Sequence, residues 1–186
     1  MLFRSIASPY FLEVQNIINV LRQTSINGVL AIGMTFVILT RGIDLSVGSL
    51  AALAGIVATS FATVSSVAGM PGSPYPAALA IAIGIAVGLL CGAANGAVVT
   101  RFRVPPFVVT LGMLSIARGL AYAVTEGRGQ TPSGPDIDAF YAFTDGTILG
   151  VPMAVIYLLG LAAILGIVLH HTAFGRHVFE IGRAHV

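Results

Sequence analysis

The sequence predicts an all-α membrane protein, a polytopic bundle of about five transmembrane helices, on three observations. Of the 186 residues, 56% are hydrophobic and only 9% are charged, and the mean hydropathy is +0.96. A soluble domain contains about 25% charged residues because its surface faces water. Residues 45–100 include no charged side chain and no histidine. The apolar runs are also long and continuous, without the alternation of barrel strands, which favours helices.

The long uncharged run must fold back on itself. As one helix, residues 45–100 would extend about 84 Å at 1.5 Å per residue, whereas a bilayer core is about 30 Å thick. The segment 71–76 contains three prolines in six residues. Proline lacks a backbone donor and disfavours helical angles in the residue before it. The run is therefore predicted to form two spans joined by a turn at 71–76.

The remaining apolar runs add three spans by the same criterion. The first ends at Arg41, the fourth contains a single charged residue, Arg118, and the last is uncharged until it ends at His170 and His171. The predicted spans lie near residues 24–40, 45–68, 77–100, 106–124 and 151–171, within a transmembrane region of 24–171.

The flanking segments are more polar. Residues 1–23 mix isoleucine, valine and leucine with asparagine, arginine and glutamine, which favours an interfacial helix. Residues 125–150 are acidic and predict an extramembrane loop, with room for one short surface helix; 172–186 form a tail. Because cytoplasmic loops are enriched in arginine, the tail is placed inside and the acidic loop outside, in the periplasm. Arg22 is the exception, since it falls on the outer side.

A strip of glycines lies on one face of the third span. Gly84, Gly88, Gly92 and Gly96 recur every four residues. Glycines at this spacing let another helix backbone approach closely, the usual mode of packing in lipid. The alternative is a glycine-lined solute path. Asn95 beside the strip could bond across helices or face such a path, and the sequence does not separate these roles.

The segment Arg41-Gly-Ile-Asp-Leu-Ser-Val-Gly48 interrupts two apolar runs. Asp44 or Ser46 could cap the helix that follows, and Arg41 could pair with Asp44. The segment is then an ordinary interhelical turn at the membrane face. The alternative is a turn that dips into the protein, where an ionisable group marks a pathway or a coupling surface.

Arg118 lies about twelve residues into its predicted span. A charge in the interior of a span costs about 2.5–3.5 kcal/mol on insertion scales. Its side chain could snorkel to the outer interface or pair with another group. The functional alternative places it on a translocation path. We therefore take Asp44, Asn95 and Arg118 as candidate pathway or structural polar groups.

Several other classes of function are disfavoured. The nine basic side chains are all arginine and are dispersed, unlike a nucleic-acid-binding patch. No glycine-rich loop followed by Lys-Ser or Lys-Thr is present, so no ATP site of that type is expected. Adjacent histidines such as His170 and His171 point to different helix faces, which disfavours a metal site. No catalytic constellation stands out, and we expect neither an enzyme nor a bound cofactor.

Two segments, 19–27 and 31–49, resemble the sugar-type ABC transporter permeases, the membrane subunits of ribose, xylose and arabinose importers. The most specific block is Gly-Ile-Asp-Leu-Ser-Val-Gly at 42–48. The similarity continues over nearly the whole chain, in blocks at 103–107, 110–113, 118–119, 150–152 and 170–176.

The resemblance implies a fold of about ten helices, of which this chain would be a fragment. It also implies a second permease subunit, which makes a homodimer the expectation, and a periplasmic sugar-binding protein that delivers solute. A cytoplasmic ATPase would hydrolyse the ATP. The loop that begins at Phe174, Gly175 and Arg176 would start the contact with this ATPase, and Arg183–Val186 depart from the family's pattern.

The leading hypothesis from the sequence is therefore monosaccharide import across the bacterial inner membrane by a multi-pass permease subunit. One alternative is an ABC permease for another small solute, such as a branched-chain amino acid. Another is a stand-alone secondary transporter or channel, which would need ionisable groups buried in several spans. A structural membrane protein without transport is a third class.

Overall fold

The computed structural model describes residues 10–63, 75–133 and 136–183, and these form two compact units. One unit comprises residues 10–40 and 142–183, and the other comprises the described residues of 41–141. The described elements are α1 (Val14–Leu39), α2 (Val47–Phe61), α3 (Ala77–Phe102), α4 (Pro106–Thr125), α5 (Ile137–Thr144), β1 (Thr147–Ile148), β2 (Val151–Pro152), α6 (Met153–His171) and α7 (Ala173–Arg183). The all-α prediction is confirmed, apart from one short hairpin.

Three of the described helices, α3, α4 and α6, are long and apolar enough to cross a membrane. The helix α2 is apolar but has only 15 residues. The helix α1 has 26 residues but is not among the three, because its first half contains Asn16, Asn19, Arg22 and Gln23. The chain is a multi-pass helical membrane protein, and α1 and α2 coincide with the other two predicted spans.

The first helix begins earlier than the predicted span. It starts at Val14, ten residues before position 24, so the second part of the predicted interfacial segment and the first span form one continuous helix. No proline or glycine separates the two parts, which leaves nothing in the sequence to end the helix between them. The side chain amide of Asn16 donates to the carbonyl of Phe11, 2.8 Å away, just before the helix.

Some predicted features lie outside the described residues. These are the first nine residues of the interfacial segment, the end of the second span (64–68), most of the predicted turn (71–74) and the last three residues of the tail (184–186).

The unit formed by residues 41–141 is built on α2, which packs against both α3 and α4. Leu53 and Val57 of α2 and Ala117 of α4 are buried in one apolar cluster. The backbones of α2 and α3 approach closely at Gly84, where an added Cβ would lie 2.7 Å from the carbonyl oxygen of Ala54 and 2.8 Å from the Cβ of Ala58. Close backbone contact of this kind supplies the packing that the hydrophobic effect cannot supply between helices in lipid.

The carboxyl end of α2 is level with the start of α3. The amide of Tyr75, just before α3, donates to the carbonyl of Phe61 at 3.2 Å. The amide of Ser133 donates to the carbonyl of Ala62 at 3.1 Å, and the hydroxyl of Thr63 donates to the carbonyl of Thr131 at 3.3 Å. The loop after α4 is thereby attached to this end of α2.

The other unit is built on α1 and α6, with α7 packed against both. An added Cβ on Gly28 of α1 would lie 2.8 Å from Cδ1 of Leu158 of α6, so these helices also meet at a glycine. The rings of Phe36 and Phe174 lie 6.3 Å apart between their centroids and join α1 to α7. Only 6% of the apolar stretch of α6 is buried within the chain.

The exception in the predicted orientation has a structural explanation. The guanidinium of Arg22 forms an ion pair with the carboxylate of Asp145 at 3.4 Å and donates to its backbone carbonyl at 3.1 Å. Asp145 belongs to the acidic segment predicted to lie outside. Arg22 is therefore held on the side of its acidic partner, so its position does not oppose the orientation drawn from the other arginines.

The predicted loop at 125–150 contains a short helix, α5, and the first strand of an antiparallel hairpin, β1–β2. The second strand occupies the first two residues of the predicted fifth span. The hairpin turn is formed by Leu149 and Gly150, whose φ angles are 52° and 81°. Positive φ at both central residues is the geometry whose twist matches two adjacent strands. The short helix falls within the expectation, whereas the hairpin was not predicted, because Leu149 is an unusual residue at such a position.

We predict that Gly84→Ala destabilises the protein relative to Gly92→Ala. Both changes gain the same helix propensity, but the Cβ at 84 meets backbone and the Cβ at 92 meets nothing within 4 Å. Overpacking of this type costs about 1–3 kcal/mol. Thermal unfolding of the two variants in the same detergent measures the difference, and equal melting temperatures would contradict close α2–α3 packing.

Candidate functional site

The segment before α2 is organised around Asp44 and Ser46. Oδ1 of Asp44 accepts hydrogen bonds from the backbone amide of Ser46 at 2.7 Å and from its hydroxyl at 2.6 Å. Ser46 is fully buried, and its carbonyl begins the helical hydrogen bonding by accepting from the amide of Leu50 at 2.8 Å. Of the two predicted caps, Asp44 bonds a backbone amide, whereas the hydroxyl of Ser46 makes no capping bond.

Asn95 of α3 joins this arrangement from the facing helix. Its Nδ2 donates to the Ser46 hydroxyl oxygen at 3.1 Å, and only 6% of the residue is exposed. The Ser46 hydroxyl thus donates to Asp44 and accepts from Asn95, so it links the Asp44 carboxylate to the Asn95 amide. The other amide atom, Oδ1 of Asn95, is buried and has no hydrogen-bond partner among the described residues.

Thr110 of α4 fixes the same segment from a third side. Its hydroxyl oxygen accepts from the amide of Leu45 at 3.1 Å, and lies 3.2 Å from the carbonyl of Ile43, to which it can donate. Thr110 is 4% exposed. In lipid, each unsatisfied backbone group costs several kcal/mol, so a non-helical segment needs such side-chain partners. We call Asp44, Ser46, Asn95 and Thr110 the polar cluster.

The polar cluster is recessed from the ends of its helices. Asn95 lies seven residues before the end of α3, about 10 Å from that end, and Thr110 is the fifth residue of α4, about 6 Å from its start. The end of α3 and the start of α4 are joined by a connection of three residues, so both are on one side. The segment before α2 therefore dips into the protein by about 6–10 Å.

The length of α2 agrees with this recess. Its 15 residues extend about 22 Å, less than the 30 Å core of a bilayer. Because its carboxyl end is level with the start of α3, its amino end stops short of the far end of α3. Of the two sequence interpretations of residues 41–48, this geometry favours the turn that enters the protein over the turn at the membrane face.

The four glycines of α3 differ in their surroundings. Gly84 is in tight contact with α2, and an added Cβ on Gly88 would lie 4.0 Å from that of Ala54. Gly92 and Gly96 have nothing within 4 Å of such an atom among the described residues. Only the half of the strip nearer the start of α3 therefore packs against α2, and the half beside Asn95 is open.

Arg118 is not part of the polar cluster. It lies eight residues after Thr110, about 12 Å further along α4, and its side chain is exposed. It follows Ala117, which is fully buried against α2, so it points to a neighbouring face of the helix. Within the described part of the chain, Arg118 makes no hydrogen bond and no ion pair.

The residues Phe174, Gly175 and Arg176 lie in the first turn of α7 and not in an irregular loop. The hydroxyl of Thr172 accepts from the amide of Gly175 at 3.3 Å, which caps the helix. Gly175 is buried, and a Cβ there would overlap the carbonyl group of Leu169. Arg176 lines an open groove of about 340 Å³ with Phe179, Glu180 and Arg183.

Sequence reasoning missed the part that Thr110 plays. The sequence feature that could have indicated it is a hydroxyl side chain in the first turns of an otherwise apolar span. Threonine at such a position more often bonds its own helix, as Thr100 and Thr125 do here. Only the approach of residues 43–45 to α4 distinguishes Thr110 from these.

Comparison with known proteins adds to this geometry. A family model described as a branched-chain amino acid transport system / permease component matches residues 16–184. No solved structure matches the chain.

Three relatives illustrate the similarity. The ribose import permease protein RbsC of Bacillus subtilis is 42% identical over 178 residues, which is 96% of this chain and 52% of the relative. RbsC of Escherichia coli K12 is 40% identical over 180 residues, 96% of this chain and 53% of the relative. The D-allose transport system permease protein AlsC of the same strain is 32% identical over 181 residues, 97% and 52% respectively. The chain thus spans about half the length of these relatives.

We predict that Ser46→Ala lowers the free energy of unfolding by about 1–2 kcal/mol, because Nδ2 of Asn95 and the Asp44 carboxylate lose a buried partner. Ser60→Ala is the matched control. Ser60 is a buried serine of α2, but its hydroxyl bonds only the Ile56 carbonyl one turn earlier. Thermal unfolding in detergent should separate the two variants; equal stabilities would show that the polar cluster contributes nothing.

Proposed function

Because the chain belongs to the branched-chain amino acid transport system / permease component family, we propose that it forms part of the membrane subunit of an ABC importer. The proposed solute is a monosaccharide such as ribose. The main support is that proteins named as ribose import permeases match 96% of the chain at 40–42% identity. The proposal concerns a whole permease, of which this chain has the length of about half.

The structure supports a role in translocation through the recessed polar cluster. A buried chain of hydrogen bonds from Asp44 through Ser46 to Asn95 is costly in an apolar helix bundle. Its place in the fold suits a polar solute that must pass between apolar helices. We accordingly propose Asp44 and Asn95 as groups beside the path.

The energy of transport would come from partners. A cytoplasmic ATPase would hydrolyse ATP, so this chain needs no ATP site of its own and would not be an enzyme. A periplasmic sugar-binding protein would deliver the solute, and a second permease subunit would complete the passage in the bacterial inner membrane. The first turn of α7, with Phe174 and Arg176, is the proposed start of the surface that faces the ATPase; Phe174 is 60% exposed.

A second candidate is import of a branched-chain amino acid by the same type of machine, because the family description names that solute. The names of the similar relatives favour sugars, since they specify ribose and D-allose. A proton- or ion-coupled secondary transporter is less favoured. Such a protein needs ionisable groups in several spans, whereas α3 has only Arg101, in its last turn, and α6 only the two histidines at its end.

We predict that the full-length permease, reconstituted with its ATPase and binding protein in proteoliposomes, takes up labelled ribose when ATP is supplied. Inactivating the ATPase should abolish uptake, because the permease has no other energy source. Labelled leucine under the same conditions tests the second candidate. ATP-driven uptake of leucine but not of ribose, or ribose uptake that needs no ATP, would contradict the proposal.

Arg118 is the one charged residue of α4, and we predict that Arg118→Leu lowers uptake by about tenfold or more if it lies beside the path. Charged residues within spans often mark solute or ion pathways, whereas a side chain that only snorkels to the interface would not affect uptake. Arg128→Leu is the control, because Arg128 lies in the outer segment and pairs with Glu126 at 3.5 Å. Unchanged uptake in Arg118→Leu at normal expression would exclude a pathway role.

A further inference from the structure

One buried acceptor in the unit 41–141 has no assigned role. Oδ1 of Asn95 makes no hydrogen bond with any described residue, although only 6% of Asn95 is exposed. An unpaired buried polar atom costs about 1–3 kcal/mol. Natural structures contain few such atoms, and each requires an explanation.

The orientation of this amide follows from the hydrogen bonds around it. The Ser46 hydroxyl has a single hydrogen, which it donates to Asp44 over the short distance of 2.6 Å. The Ser46 oxygen can therefore only accept from Asn95, so the amide nitrogen faces Ser46 and the oxygen is the free atom. Exchanging the two amide atoms would place two acceptors against each other.

Backbone donors without a described partner follow directly after Ser46 in the chain. Ser46 is the residue before α2, and the amides of Val47, Gly48 and Ser49 in the first turn have no hydrogen-bond partner among residues that the structure describes. The first amides of a helix point out of its amino end and have a partial positive charge. The amino end of α2 thus combines unpaired N–H donors with an unpaired buried C=O acceptor.

Resting on the proposed function, we propose that Oδ1 of Asn95 is a recognition point for a hydroxyl group of the translocated solute. A hydroxyl both donates and accepts, so it can bond to Oδ1 of Asn95 and to a first-turn amide of α2 together. An anion would face the Asn95 oxygen and the Asp44 carboxylate, and a cation would face the amides. The mixed donor and acceptor character therefore fits a neutral polyhydroxylated molecule.

Access requires a change of conformation. Because the oxygen is buried here, the solute reaches it only when α3 separates from the segment before α2. Gly92 and Gly96, on either side of Asn95 in the sequence, make no close contact with the described residues, so their positions do not oppose such a separation. In alternating access, a group that contacts the solute is exposed in one conformation and buried in another.

The test uses the full-length permease with its ATPase and binding protein in proteoliposomes. Uptake of D-ribose is compared with uptake of 2-deoxy-, 3-deoxy- and 5-deoxyribose, each at saturating binding protein loaded with that sugar. In the wild type, the analogue that lacks the recognised hydroxyl leaves Asn95 unpaired, and it should be transported about tenfold more slowly than ribose. In Asn95→Leu, which is similar in size, the ratio for that one analogue should fall to about one.

Three further variants separate recognition of the solute from support of the fold. Ser60→Ala removes a buried hydroxyl elsewhere on α2 and should retain discrimination between ribose and the analogue. Ser46→Ala removes the hydroxyl that orients the Asn95 amide, and it serves as the structural comparison. Asn95→Ala, compatible with a helix rich in alanine, should behave as Asn95→Leu and serves if the larger residue prevents folding.

Each outcome decides the inference. Loss of discrimination in the Asn95 variants but not in Ser60→Ala supports it. Equal slowing of every sugar, in Asn95→Leu and in Ser46→Ala alike, would assign Asn95 to holding the turn and overturn the inference, as would unchanged discrimination in the Asn95 variants. Failure of the wild-type complex to take up ribose while its ATPase is active is a different result, which overturns the proposed function.

Discussion

The segment before α2 lacks helical hydrogen bonds, and side chains of the unit 41–141 supply partners to several of its backbone groups. Thr110 of α4 supplies an oxygen to Leu45, and Asp44 supplies one to Ser46. Asn95 of α3 then bonds the Ser46 hydroxyl. Three helices are thereby fixed at one level, because every partner comes from a different element. An unsatisfied backbone group in lipid costs several kcal/mol. These hydrogen bonds therefore favour one position of the segment, and with it the residue at which α2 begins.

Close packing at glycine complements these hydrogen bonds. Helices in lipid gain little from burying apolar side chains, since lipid is equally apolar, and they depend on van der Waals contact. Gly84 brings α3 against α2 in one unit, and Gly28 brings α1 against Leu158 of α6 in the other. The glycines of α3 therefore differ in their surroundings, although they lie on one helix. Gly84, near the start of α3, is in tight contact with α2, whereas Gly92 and Gly96, near Asn95, make no close contact with the described residues.

The positions of the long apolar helices followed from composition and length, whereas their ends did not. The prediction of separate segments at 1–23 and 24–40 rested on polarity, but polarity does not end a helix when no proline or glycine intervenes. The hairpin at Thr147–Pro152 was not foreseen because Leu149 adopts a positive φ that is rarely chosen by leucine. At the site, Asp44 and Asn95 could be named from the sequence as isolated polar residues in apolar surroundings. Thr110 could not, because hydroxyls in membrane helices usually bond their own backbone.

The sequence by itself determined that this protein is a multi-pass helical bundle, since a chain with 9% charged residues has too little polar surface to face water. It also determined the family, through blocks such as Gly-Ile-Asp-Leu-Ser-Val-Gly. Only the tertiary structure decided that this block dips into the protein, that Asn95 reaches Ser46, and that Arg118 does not join them. The reason is geometric. Residues 49 positions apart meet when two helices align along their length, and no local pattern encodes that alignment.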